Sequence, residues 1–161
     1  MPDFKLLTED DWITLQEIRL SALSESPHSF LSSYETEKAY DAVRWCAEFT
    51  RGDWAVGFVG GEPVSLIGAT REPGAPSHQR YLEFLWVSPS VRRQGIGFGL
   101  IDFVLDHLKR SGARTVFLWV LDGNDSAMRL YQRVGFARSN DLQPLEAHPG
   151  RSEERLRLDL G

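Results

Sequence analysis

The chain has 161 residues, 42% of them hydrophobic and 25% charged, with a formal net charge of −5. That balance is globular, suits one domain over residues 1–161 with a substantial core, and argues against a nucleic-acid partner, which usually calls for a basic face. No apolar run approaches the roughly 18–20 residues that span a bilayer, the N-terminus MPDFKLLTEDD has no signal-peptide pattern, and the lone Cys46 can form no internal disulfide and joins no metal-ligand cluster, so a cytoplasmic protein with no membrane or metal partner is expected.

Residues 3–7 form a candidate edge strand, and Thr8-x-x-Asp11 looks like a capping box. Trp12, Leu15, Ile18, Arg19, Ala22 and Leu23 then recur at helical spacing until Ser26-Pro27 breaks the pattern. Residues 28–34 are irregular and rich in aromatic and hydroxyl groups. A second helix is expected over 35–50, with Ala39, Val43, Cys46 and Ala47 inward and Cys46 a small buried hydrophobe. Residues 54–59 and 64–71 read as a hairpin around Gly60-Gly61-Glu62-Pro63, followed by a loop over 72–79 too rich in Pro and Gly for regular structure.

The stretch 81–108, YLEFLWVSPSVRRQGIGFGLIDFVLDHL, reads as strand, loop and helix. Alternation places Leu82, Phe84 and Trp86 on one strand face and Glu83, Leu85 and Val87 on the other; both are mostly apolar, as in a central strand covered on two sides. Glu83 is the exception, a carboxylate that is costly there unless paired, solvated or used. Ser88-Pro89 ends the strand, and a helix follows with Leu100, Ile101, Val104, Leu105 and Leu108 on one face. Free N–H groups at a helix start, cleared of side chains by glycine and preceded by Arg92 and Arg93, make a cradle for phosphate or pyrophosphate. A Walker loop is set aside because Gly-Lys-Ser/Thr is absent. A dinucleotide fingerprint is disfavoured because Gly99 comes one residue early and 116–121 ends without an acidic residue.

Residues 116–121 (VFLWVL) form a further buried strand, and 124–134 a helix stopped by Gly135. Asn124 and Tyr131 fall within roughly 20° of one face of that helix. Read separately, Asn124 is a helix N-cap and Tyr131 a core aromatic. Residues 140–150 read as a loop, and 156–160 as a final strand with one wet face.

Arg92-x-x-Gly95-x-Gly97, preceded by Leu85, Val87 and Pro89 and followed by Asn124, Ala127, Tyr131, Gly135 and Phe136, resembles the coenzyme A site of the GNAT superfamily of N-acetyltransferases. The resemblance runs in order from Phe4 to about Phe136, with specific motifs only in 81–136. It implies an α+β fold in α/β/α layers, with a mixed, mostly antiparallel sheet of roughly six or seven strands flanked by about four helices. It also implies transfer of an acetyl group from acetyl-CoA, as co-substrate, to a primary amine on a small molecule or peptide, by direct attack in a ternary complex. Backbone groups of Leu85, Trp86 and Val87 would meet the pantetheine arm, and the run Arg92, Arg93, Gln94, Gly95, Ile96, Gly97 and Phe98 the pyrophosphate, with Asn124 and Ser126 beside the arm.

In this resemblance Tyr131 is the candidate acid for the leaving thiolate and Glu83 the candidate base, acting directly or through a water. Glu83 could equally pair with an arginine for structure. Many members carry a carboxylate on the strand that here reads VFLWVL, and this chain has none. Phe30, Tyr34 and Glu37 are candidates for the acceptor wall, with Phe30 equally a core anchor. Superfamily members are often homodimers. The alternative of a different class is a non-catalytic acyl-CoA-binding sensor or interaction domain, which would carry the same loop.

Overall fold

A strand that is apolar on both faces needs cover on both, and the sheet here has it. The computed structural model describes residues 1–146 and 148–161. Strands β1 (Asp3–Leu6), β2 (Gly52–Val59), β3 (Glu62–Thr70), β4 (Gln79–Val87), β5 (Thr115–Leu121), β6 (Ala137–Pro144) and β7 (Ser152–Asp159) form one sheet in the order β1-β2-β3-β4-β5-β7-β6. Neighbours are antiparallel except β4 and β5. Helices α1 (Trp12–Glu25), α2 (Tyr34–Lys38) and α3 (Ala42–Arg51) lie on one side, and α4 (Ile96–Arg110) and α5 (Asp125–Val134) on the other. Leu15, Ile18, Trp45, Trp54 and Leu66 fill the first core; Leu100, Ile101, Val104, Leu118 and Leu156 fill the second. This is the expected layered α+β fold with a mixed seven-stranded sheet. Among the described residues, no helix is long and apolar enough to cross a membrane.

Local chemistry explains most boundaries. Thr8 and Asp11 form the capping box, with the Thr8 N–H donating to Asp11 at 2.8 Å. The β2–β3 turn holds Gly60 and Gly61 at φ 58° and 82°, the left-handed pair that a tight hairpin needs.

Two expectations are corrected. The segment 35–50 is two helices rather than one, because Asp41 restarts the chain as an N-cap, accepting from the Arg44 N–H at 2.9 Å. The restart shifts the phase: Trp45 and Glu48 point inward, Val43 is 78% exposed, Ala39 and Ala47 are exposed, and Cys46 is only half-buried. The segment 140–150 also begins as strand. Its first residues continue β6, which pairs with β7 around a bulge where Asn140 takes φ 61°. Its side chains are almost all exposed, so no hydrophobic alternation marked it.

A bulge also changes β4. Phe84 sits at φ 57°, and the β3–β4 register shifts between Leu66 and Gly68. The alternation therefore breaks: Leu82 and Leu85 pack with the α4–α5 core, while Phe84 and Trp86 pack with the α1–α3 core. Glu83 pairs with Gly68, on which a Cβ would stand 2.5 Å from the Trp54 ring of the α1–α3 core. Glu83 thus faces the α1–α3 side, not the side of Leu85 and Val87.

Candidate active site where β4 and β5 part

β4 and β5 pair only from Gln79 to Tyr81 against Thr115 to Phe117, then diverge. The bulge at Phe84 adds twist where the strands separate. The opening is a cavity of about 580 Å³ walled by both strand ends, the start of α4 and one face of α5. Beyond Tyr81 the β5-facing edge of β4, to which Leu85, Trp86 and Val87 belong, has no strand partner among the described residues. Its outward main-chain groups, other than the Val87 carbonyl that Arg92 occupies, are open to an extended ligand, as at any open sheet edge.

The loop before α4 is held by backbone geometry. Gly95 is the N-cap at φ 81°, and the first α-helical bond runs from the Gly99 N–H to the Gly95 carbonyl at 3.0 Å. The N–H groups of Ile96, Gly97 and Phe98 precede that ladder at the positive end of a 15-residue helix. A Cβ on Gly97 would lie 3.4 Å from Val87 and 3.6 Å from Leu130, in the gap between strand end and α5. Gly99 serves another purpose: its Cβ would stand 2.8 Å from the Phe4 ring, so this glycine lets α4 settle on β1.

Arg92 turns away from the loop's N–H groups. Its Nε donates to the Val87 carbonyl at 2.8 Å, and its Nη2 pairs with Glu25. Glu25 also accepts from Trp86 Nε1 at 3.3 Å and from Ser26. Burial opposes charge on Glu25, but the hydrogen bonds from Ser26 and Trp86 and the charge of Arg92 together hold its carboxyl below the usual range. This cluster ties the end of α1 to the end of β4. Arg93 is exposed at φ 64°, and Gln94 is exposed beside it. A cation not singled out from sequence, Arg133, lies over the Phe98 ring at 5.2 Å on the same cavity wall. It comes from a different helix, and no local spacing could connect the two.

On α5, Asn124 caps the helix, its Oδ1 accepting from the Ala127 N–H and from Ser126 Oγ, each at 3.3 Å. Tyr131, 8% exposed, lines the cavity and meets Phe136 edge-on at 5.8 Å. Burial pushes its phenol well above the ordinary value, so it stays protonated.

On the α1–α3 side Glu83 lines the cavity and pairs with Arg51, which also binds the buried Glu48 at 2.8 Å. Burial opposes the Arg51 charge, yet its bonds to Glu83 and Glu48 outweigh that and strengthen its hold on the proton. Phe30 lines the cavity and stacks on Phe84 at 4.1 Å. The other two acceptor-wall candidates lie elsewhere. Glu37 is 1% exposed and chelated by Arg19 at 2.7 and 2.5 Å, and Tyr34 lies outside the lining, under the Lys38 ammonium. Trp119 of β5, not singled out from sequence as a site residue, completes the wall.

The family model described as "Acetyltransferase (GNAT) family" matches residues 15–136, more than half the chain. An uncharacterized N-acetyltransferase of Methanocaldococcus jannaschii is 29% identical over 133 residues, covering 81% of this chain and 58% of that protein. The chain spans less than two thirds of the curated relatives it matches, from 18% to 58% of their lengths. An acetyltransferase of the GNAT family from Streptococcus pneumoniae superposes with a TM-score of 0.84 at 16% identity, covering 100% of both chains. YncA, a putative acetyltransferase from Salmonella typhimurium solved with acetyl-CoA, gives 0.79 at 13% identity, covering 100% of this chain and 95% of that one. The matched sequence, the parted strands and the glycine-led helix start agree, and the chain belongs to the GNAT acetyltransferase family.

Proposed function

We propose that this protein transfers the acetyl group of acetyl-CoA to a primary amine. The observation that carries the reading is the juxtaposition of an unpaired β4 edge with the free N–H groups that open α4. The N–H groups of Ile96, Gly97 and Phe98 suit a diphosphate at the helix start, and the edge of Leu85, Trp86 and Val87 suits an amide-bearing arm. When bound, acetyl-CoA supplies a thioester whose carbonyl carbon accepts the amine nitrogen as its C–S bond breaks, leaving CoA as a thiolate.

The chain's residues manage the protons. An alkyl amine near pKa 10 arrives mostly protonated and must lose a proton before it can attack. Glu83, held by Arg51 on the acceptor side, accepts that proton through a water. Tyr131, kept protonated by burial, donates to the departing sulfur and regains a proton as the newly bonded nitrogen gives up its second one. Asn124 and Ser126 fix the first turn of the helix that carries Tyr131, and the brace from Arg92 to Val87 holds the strand end.

Two measurements test this. Acetyl-CoA should raise the melting temperature, since a ligand of the folded state stabilises it. Tyr131→Phe should lower kcat by about 10²-fold while leaving acetyl-CoA affinity nearly intact. Binding without thiol release across an amine library would assign the chain instead to the non-catalytic acyl-CoA sensors.

A further inference from the structure

The sheet face on which the amine would arrive carries a charge pattern that the transfer chemistry does not use. Helices α1 and α3 lie over β2 and β3, while on the β5–β7 part of that face arginine side chains cover Phe117, which is 5% exposed. Tyr81 and Phe117 stack at 5.3 Å where β4 and β5 part. Arg155 stands opposite Trp119 on β7 and lays its guanidinium 4.5 Å over Phe117 and 6.0 Å from Trp119. Its Nη1 donates to the Tyr81 hydroxyl at 3.2 Å, its Nη2 to Asp141 at 2.6 Å, and its buried Nε meets no acceptor among the described residues.

A guanidinium carries five N–H donors, so beyond the bonds to Tyr81 and Asp141 each terminal nitrogen of Arg155 keeps one N–H unspent. Asp141 is 51% exposed, and exposed pairs of this kind are weak and open to exchange. Glu83 lies two residues along β4 from Tyr81 on the same face, and Trp119 two residues along β5 from Phe117. Glu83 and Trp119 line the cavity, and Arg155, just outside that lining, is the cross-strand partner of Trp119, so a carboxylate on one arm and a planar cation beside the apex flank the cleft.

We infer that Arg155 determines acceptor specificity by receiving an anionic group, so that the substrate is an amine that also carries a carboxylate or a phosphate. The inference rests on the acetyltransferase reading above. The incoming anion takes the place of Asp141 on the guanidinium, which lies over Phe117 and Trp119 and is tied to the Tyr81 hydroxyl, while the amine faces Glu83.

The test is thiol release at saturating acetyl-CoA with matched amines: L-amino acids against their carboxamides, and phosphoethanolamine against ethanolamine, with each rate expressed per unprotonated amine. The anionic member of one pair should lead by at least about tenfold in kcat/KM, and the pair that does so identifies carboxylate or phosphate. Arg155→Gln should bring that ratio close to one. Asp141→Asn, an exposed change that leaves the aromatic bed in place, should raise the ratio about twofold to fivefold and decides the matter if the arginine variant fails to fold. Neutral amines used as well as their anionic partners, a ratio that survives Arg155→Gln, or a ratio that falls in Asp141→Asn would each overturn the inference and leave the acetyltransferase reading standing. No release from any amine would remove both.

Discussion

Three glycines in five residues, Gly95, Gly97 and Gly99, should respond to the same substitution in three different ways. Gly95→Ala meets no atom of the described residues within 4 Å, so its cost is the left-handed backbone at φ 81°. That strain is about 1–2 kcal/mol, and each kcal/mol lowers Tm by roughly 2–4 °C in a chain of this size. Gly97→Ala makes ordinary contacts at 3.4 and 3.6 Å. It also gains helix propensity of up to about 1 kcal/mol, so stability should hold or rise. Its methyl group, however, narrows the gap between Val87 and Leu130 beside the N–H groups proposed to hold the diphosphate, and acetyl-CoA affinity should fall at least about tenfold, or about 1.4 kcal/mol. Gly99→Ala drives a methyl to 2.8 Å from the Phe4 ring. Overpacking of that kind costs about 1–3 kcal/mol, partly offset by helix propensity, and should leave affinity alone. Urea denaturation gives the stabilities, and calorimetric titration of acetyl-CoA gives the affinities. Wild-type affinity in Gly97→Ala, or binding rather than stability lost in Gly99→Ala, would refute the assignment of the loop.

Two further outcomes follow from ion pairs. Glu37→Gln leaves the Arg19 guanidinium, 7% exposed, without its counter-charge, and should cost about 3–5 kcal/mol in urea denaturation; a loss under about 1 kcal/mol would mean that water reaches the pair. Glu25 has a folded value below its unfolded one, so its contribution is present above about pH 4.5 and drains away as pH falls through the folded value. Glu25→Gln should therefore melt below wild type at neutral pH yet lose less Tm between about pH 5 and 3; parallel curves would show that the carboxylate contributes nothing.

Much of the fold was legible because its signals are local. The capping box at Thr8, the left-handed glycine pair at 60–61, the apolar stripe of α4 and the stop at Gly135 each depend on residues within a few positions of one another. The break at 39–41 was obscured because its only marker is an Asp cap inside a helix-like composition, and β6 because a wet edge strand has no alternation.

The site divides in the same way. By itself the sequence determined that a glycine-led helix start follows a buried strand, and that a tyrosine recurs on a later helix, since spacing along one chain sets both. Only the tertiary structure decided what those residues face. The bulge at Phe84 turned Glu83 to the opposite side of the sheet, the Glu25 carboxylate drew Arg92 off the loop, and Phe4 claimed Gly99 for packing. Each of these depends on a partner 32 to 95 residues away or on a backbone twist set by the neighbouring strand, so short-range periodicity carries no record of them.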